Sequence, residues 1–145
     1  MSEGILGLDH AGVTCADLEA SLRFYRDLLG IPMRARGENE VMAAGHAGAK
    51  YAWADLELPD GRVVELLEPF ERGHEPLPPG TERPGSAHTG LRVADIEAML
   101  ARLAEAGVEP LNPPVTLQEP GAWHGSTIAY VRDPDGHAVE LVQHP

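Results

Sequence analysis

The sequence predicts an α+β fold in which two tandem βαβββ modules form a partly open mixed β-barrel with flanking helices. The main observation is internal repetition, because self-similarity at a fixed spacing indicates one structural unit used twice. His10–Ala20 aligns with His88–Ala98 at an offset of 78 residues, matching His, Gly, Ala, Asp, Glu and Ala. Pro59–Leu66 aligns with Pro134–Leu141 at an offset of 75. We expect one domain over residues 1–145, with module one at about 6–69 and module two at about 86–143.

The first module is predicted from its hydrophobic periodicity and its turn residues. Asp17 can cap a helix whose apolar residues follow helical spacing, and Gly30 suits the left-handed residue that ends it. Pro59-Asp60-Gly61 favours a hairpin between two alternating segments. The predicted strands are 6–14, about 31–40, 51–58 and 63–67.

The second module repeats this order. Its helix is predicted over Asp95–Ala106 with Gly107 as its end, and its last hairpin turns across Asp133–Gly136. Its first two strands are predicted at 87–93 and about 108–115. Segment 69–86, rich in proline, is predicted as a linker, and 117–125 as an irregular loop that could carry ligand contacts.

Charge and composition narrow the classes of partner. The formal charge of −12, from 11 basic and 23 acidic residues, repels nucleic acid and anionic lipid at long range. The sequence lacks a signal-peptide pattern and an apolar stretch of about 18 residues, so we expect a cytoplasmic protein. A lone Cys15 excludes an internal disulfide and a thiolate metal cluster.

Two glutamates occupy unusual places in the predicted strands. Glu65 and Glu140 each lie in a strand that is apolar on both faces. Burying a carboxylate there is costly unless a cation or hydrogen-bond donors compensate. Because the same arrangement occurs twice at matching positions, we expect a positive charge near both.

Two histidines complete the pattern. His10 and His88 begin the first strand of each module, and Gly12 and Gly90 follow two residues later on the same face, which leaves space beside the imidazoles. Two imidazoles and two carboxylates suit nickel, cobalt, zinc, manganese or iron. We therefore expect one divalent metal ion per site, with two coordination positions left if it is six-coordinate and with four ligands: His10, Glu65, His88 and Glu140.

Five motifs in order give the sequence a family resemblance. They are Asp9–Val13, Asp17–Gly30, Val64–Pro69, His88–Val93 and Asp133–Leu141. From about residue 6 to 143 the chain resembles the vicinal oxygen chelate superfamily, which includes glyoxalase I, methylmalonyl-CoA epimerase, extradiol dioxygenases, and fosfomycin and bleomycin resistance proteins.

The identity of the four predicted ligands favours some members of this superfamily over others. The four residues are similar to those of glyoxalase I, whereas superfamily epimerases typically carry Gln at the position of Glu65 and extradiol dioxygenases leave that position unused. The resemblance implies a lyase or isomerase that chelates adjacent substrate oxygens and shifts a proton through an enediolate. Either Glu140 or Glu65 would be the base.

Several alternatives stay open at this level. A CoA-thioester epimerase, an extradiol dioxygenase or a non-catalytic drug-binding and resistance protein would share the fold. The basic residues that an anionic small-molecule substrate would need are scattered: Arg34, Arg36, Lys50, Arg72 and Arg92. The remaining histidines are expected to be solvated, with His124 beside Trp123 the one most open to another role. Exposed sheet edges predict a symmetric homodimer.

Overall fold

The predicted repeat is present in the structure, a computed structural model that describes residues 4–40, 50–71, 73 and 75–145. The chain divides into two compact units, Met1–His74 and Glu75–Pro145. Each unit contains one βαβββ module with a four-stranded mixed sheet. The predicted α+β class is confirmed.

The first sheet is open, with strand order β1-β4-β3-β2. The first and last strands of the module are parallel neighbours, and the other two pairs are antiparallel. The predicted hairpin around Pro59-Asp60-Gly61 joins β3 to β4. The strands are β1 (His10–Thr14), β2 (Met33–Glu40), β3 (Lys50–Glu57) and β4 (Val63–Pro69).

The helical segment of the first module begins and ends as predicted. Helix α1 (Leu18–Leu22) is capped by Asp17, whose side chain accepts a hydrogen bond from the Ala20 N–H at 3.0 Å. The chain then continues as a π-helical segment, Arg23–Leu28, which the periodicity did not predict. Gly30, at a φ of 79°, ends it.

The second module repeats the topology, with strand order β5-β8-β7-β6 and a parallel β5–β8 pair. Asp95 caps its helix by accepting from the Ala98 N–H at 2.9 Å, and Gly107 follows with a φ of 80°. The predicted hairpin across Asp133–Gly136 joins β7 to β8. The elements are β5 (His88–Arg92), α2 (Ile96–Glu105), β6 (Val115–Thr116), β7 (Thr127–Arg132) and β8 (Ala138–Gln143).

Two strand predictions were wrong in extent. The strand expected over about 108–115 is reduced to the two residues of β6, because Pro110, Pro113 and Pro114 have no N–H to donate to a sheet. The strand expected over 6–14 begins only at His10.

In the last strand of each module, buried aliphatic residues alternate with the glutamate. Val64 and Leu66 flank Glu65 and are buried, as are Val139 and Leu141 around Glu140. The aliphatic side chains therefore fix each strand in register while the carboxylate points to the other face. In the described part of the chain, every helix is too short or too polar to cross a membrane.

Candidate metal centre

A glycine faces each of the two glutamates across the parallel strand pair. Gly12 is the register partner of Glu65 in β1–β4, and Gly90 is the partner of Glu140 in β5–β8. A Cβ built on Gly12 would lie 3.9 Å from Glu65 Oε1, and one on Gly90 would lie 3.8 Å from Glu140 Oε2. The absent side chains leave room beside both carboxylates.

Each module also places a histidine beside its glutamate. His10 Nε2 lies 3.9 Å from Glu65 Oε1, and His88 Nε2 lies 3.1 Å from Glu140 Oε2. The second distance is a hydrogen bond, whereas the first is a looser ion-pair contact. The carboxylates differ in exposure, since Glu140 is 12% exposed and Glu65 is 31% exposed.

The two histidines have different second partners. His10 Nδ1 donates to Asp9 Oδ1 at 2.7 Å, and this hydrogen bond raises the pKa of His10. The charges of Glu65 and Asp55 raise that pKa further, while burial opposes the shift. A carboxylate on one imidazole nitrogen orients the ring and leaves the other nitrogen to bind a metal. The equivalent of Asp9 in module two is Ala87, which cannot make this contact.

Two further polar residues lie directly across the sheets from the glutamates. Asp55 in β3 is the antiparallel partner of Glu65, and Tyr130 in β7 is the partner of Glu140. Each precedes its glutamate by ten residues. Sequence reasoning missed both, although the equal spacing within two hairpins of matching design could have located them.

Asp55 brings a second carboxylate to the first module. Its Oδ2 accepts a hydrogen bond from Arg34 Nη2 at 3.1 Å. Its Oδ1 is buried and has no hydrogen-bond partner among the described residues. Like charges directly opposite on adjacent strands are unfavourable, so Arg34 compensates only part of the charge that Asp55 and Glu65 bring together.

Tyr130 occupies the equivalent place in the second module. Its ring lies edge-on to the His88 imidazole, with centroids 5.5 Å apart and an interplanar angle of 68°. Burial raises the pKa of the Tyr130 hydroxyl, and the charge of Glu140 and a hydrogen bond with it raise that pKa further. Tyr130 therefore lies beside both predicted ligands of its module.

Other histidines make local contacts. His124 Nδ1 hydrogen-bonds the Gln118 carbonyl within the predicted loop, and His144 Nδ1 contacts the buried Ser126 hydroxyl. His137 hydrogen-bonds Thr89, and burial lowers its pKa. His46, His74 and Arg72 lie outside the described residues.

The structure brings the four predicted ligands together as two His–Glu pairs, one in each module. Within the described ranges, no group of three or more His, Cys, Asp or Glu side chains has the spacing to hold a metal ion. The chemistry of each pair nevertheless fits a divalent metal, because it combines an imidazole nitrogen with a carboxylate oxygen beside a glycine.

Fold and side chains together define a class: tandem βαβββ proteins in which each module pairs a histidine strand with a glutamate strand. Residues 7–141 match the family model described as the Glyoxalase/Bleomycin resistance protein/Dioxygenase superfamily. The chain belongs to this superfamily, as its motifs predicted.

Individual proteins show the same similarity over nearly the whole chain. A probable lactoylglutathione lyase of Vibrio cholerae serotype O1 is 29% identical, over 92% of this chain and 88% of that protein. Glutathione transferase FosA of Serratia marcescens is 27% identical, over 92% and 78% respectively. The crystal structure of a glyoxylase/bleomycin resistance protein/dioxygenase domain from Frankia sp. EAN1pec superposes with a TM-score of 0.73 at 26% identity, covering 98% and 94%.

Replacing Asp9 with Asn should lower the pKa of His10 toward its ordinary value, because the hydrogen bond that raises it loses its charged acceptor. A pKa raised by folding stabilises the folded state below the unfolded pKa of about 6.5, and this gain is lost as pH rises through the folded pKa. The metal-free Asp9→Asn protein should therefore melt lower than the wild type at pH 5.5 and equally at pH 9. NMR titration of the His10 ring protons measures the pKa of His10 in both proteins. An equal pKa in the two would show that Asp9 does not raise it.

Proposed function

We propose that the protein is a divalent-metal-dependent enzyme of glyoxalase type, a lyase or isomerase for a small molecule with adjacent oxygens. The observation that carries the proposal is the duplicated pairing of histidine, glycine and glutamate on parallel strands. An ordinary structural duplication has no need to keep an ionisable pair beside a glycine in both copies. The similarity to proteins named lactoylglutathione lyase supports the same reaction class.

The proposed ligands would form one site from the two pairs, supplied by one chain or by two. Both imidazoles are partly exposed, and Asp9 leaves Nε2 of His10 available for coordination. A bound metal would polarise the adjacent oxygens of the substrate and stabilise negative charge on them. The proposed ligands are His10, Glu65, His88 and Glu140.

A glutamate would transfer the proton. Glu65 and Glu140 are the carboxylates that lie beside the histidines, and either could take a proton from one carbon and return it to the next. General base catalysis of this kind contributes about 10²–10⁴-fold to the rate. Glu140 is the better shielded of the two carboxylates, since it is 12% exposed whereas Glu65 is 31% exposed.

The names of the relatives support one substrate class. Lactoylglutathione is an isomer of the hemithioacetal that glutathione forms with methylglyoxal, and this hemithioacetal has a hydroxyl and a carbonyl oxygen on neighbouring carbons. It therefore meets the chemical requirement for chelation through two adjacent oxygens. We propose a glutathione-adduct substrate of this kind.

Metal should raise the melting temperature at neutral pH, because a ligand that binds only the folded state stabilises it in proportion to the logarithm of its free concentration over Kd. Nickel or cobalt should give a clear rise at pH 7.5 and a smaller one at pH 5, where protons compete for the imidazoles. His88→Ala and Glu140→Gln should lose most of the rise. His124→Ala, which changes a loop histidine, is the matched control. Equal melting temperatures with nickel and with a chelator at both pH values would exclude the metal site.

Turnover of the methylglyoxal–glutathione hemithioacetal should be measurable with the nickel- or cobalt-loaded protein by the ultraviolet absorbance of the thioester product. Glu140→Gln should reduce kcat at least 100-fold, since it removes the negative charge of a proposed metal ligand and a candidate base while keeping the side-chain shape. Metal binding without any turnover would retain the metal site and reject this substrate.

A second candidate is supported by the similarity to FosA, a protein named as a glutathione transferase. In that case the protein would join glutathione to a small electrophile instead of isomerising a glutathione adduct. Mass spectrometry separates the two when glutathione is supplied with a small epoxide in place of methylglyoxal, because transfer opens the epoxide and yields a glutathione adduct, whereas an enzyme that only isomerises the hemithioacetal leaves the epoxide unreacted.

We also propose a symmetric homodimer. Each sheet is open, with β1 and β2 as the outer strands of the first and β5 and β6 as those of the second. Outer strands carry backbone groups that favour pairing with another chain. Light scattering at micromolar concentration should give twice the 15.5 kDa mass of one chain. A mass of one chain over the whole concentration range would contradict the dimer.

A further inference from the structure

Tyr130 lies beside two proposed metal ligands that belong to different strands. It is the antiparallel register partner of Glu140 in β8, and its ring meets the His88 imidazole of β5 edge-on at 5.5 Å. His88 and Glu140 are also hydrogen-bonded to each other at 3.1 Å. The three residues therefore lie together on one face of the second sheet.

The phenol side chain of Tyr130 affects its neighbours in two ways, through its rigid ring and through its polar hydroxyl. An aromatic ring on a strand has few rotatable bonds, so its edge-on contact restricts how far the imidazole can turn. Glu140, which is only 12% exposed, lies directly opposite Tyr130 in the sheet, and its proximity is one cause of the raised pKa of the phenol. Removing the hydroxyl alone would change the polar surroundings of Glu140 while leaving the ring contact with His88 in place.

Among the described residues of the first module, the place opposite the glutamate is taken by a charged residue instead of a tyrosine. The residue opposite Glu65 is Asp55, a carboxylate that repels Glu65 and is tied to Arg34 instead. The His10–Glu65 separation of 3.9 Å is correspondingly longer, and Glu65 is more exposed. The two modules thus carry the same types of proposed ligand, a histidine and a glutamate, but they differ in the residue that lies opposite the glutamate.

We propose that Tyr130 is a positioning residue that fixes the Glu140 carboxylate and the His88 ring in the geometry required to bind the metal. The proposal rests on the proposed metal site and adds to it a residue outside the ligand set. Residues that orient metal ligands in this way typically change metal affinity about 10–100-fold when they are altered.

The test compares Tyr130→Phe with Tyr51→Phe, a matched control that removes a hydroxyl from β3 of the other module. Calorimetric titration with cobalt should give a Kd about 10–100-fold weaker for Tyr130→Phe and unchanged for Tyr51→Phe. The visible absorption bands of bound cobalt should also change in Tyr130→Phe, because they report ligand geometry and not general stability.

A metal-free double-mutant cycle tests the interaction between the Tyr130 hydroxyl and Glu140 by itself. Tyr130→Phe should lower the melting temperature of the wild type but not that of Glu140→Ala, where the carboxylate is already absent. An equal loss in both backgrounds would overturn the contact.

The outcomes separate this inference from the proposed function. If the wild type binds no cobalt, the proposed metal site fails and the positioning role fails with it. If the wild type binds cobalt and Tyr130→Phe binds it with the same Kd and spectrum, only the role of Tyr130 is overturned.

Discussion

The parallel pairing of the first and last strands within each module is the constraint on which the site depends. It sets Gly12 opposite Glu65 and Gly90 opposite Glu140, and it brings a histidine to the same face. A slip of one residue would turn the carboxylate toward the aliphatic core and expose a leucine or valine in its place. Burial of those aliphatic side chains therefore enforces the register that the polar residues need.

Charge is distributed unevenly over the two modules. Around His10 the first module gathers Asp9, Asp55 and Glu65, with Arg34 as the cation bound to Asp55. The second module has Tyr130 where the first has Asp55, so the residue opposite its glutamate is neutral. Coulomb attraction would contribute more to the free energy of binding a divalent cation at the His10–Glu65 pair. Ligands already in position would contribute more at the His88–Glu140 pair.

The features predicted from the sequence were those determined by local or repeated patterns. The duplication located both modules, Asp17 and Asp95 began the helices, and Gly30 and Gly107 ended them. The cross-strand neighbours Asp55 and Tyr130 were missed because the length and register of a hairpin decide which side chains meet. The π-helical segment after α1 was missed because its apolar spacing also fits an α-helix. The gathering of both His–Glu pairs around one metal stays a prediction, since each pair is internal to its own unit.

The confinement of each pair to a single module has a consequence for how such a chain can be rearranged. Neither His–Glu pair depends on which half comes first in the chain. A circular permutant opened in the linker would therefore retain both pairs. A single-module ancestor acting as two identical polypeptides would already have contained the complete set of side chains. Outside the shared pairs the two halves are free to differ, as Asp9 of the first module and Ala87 of the second show.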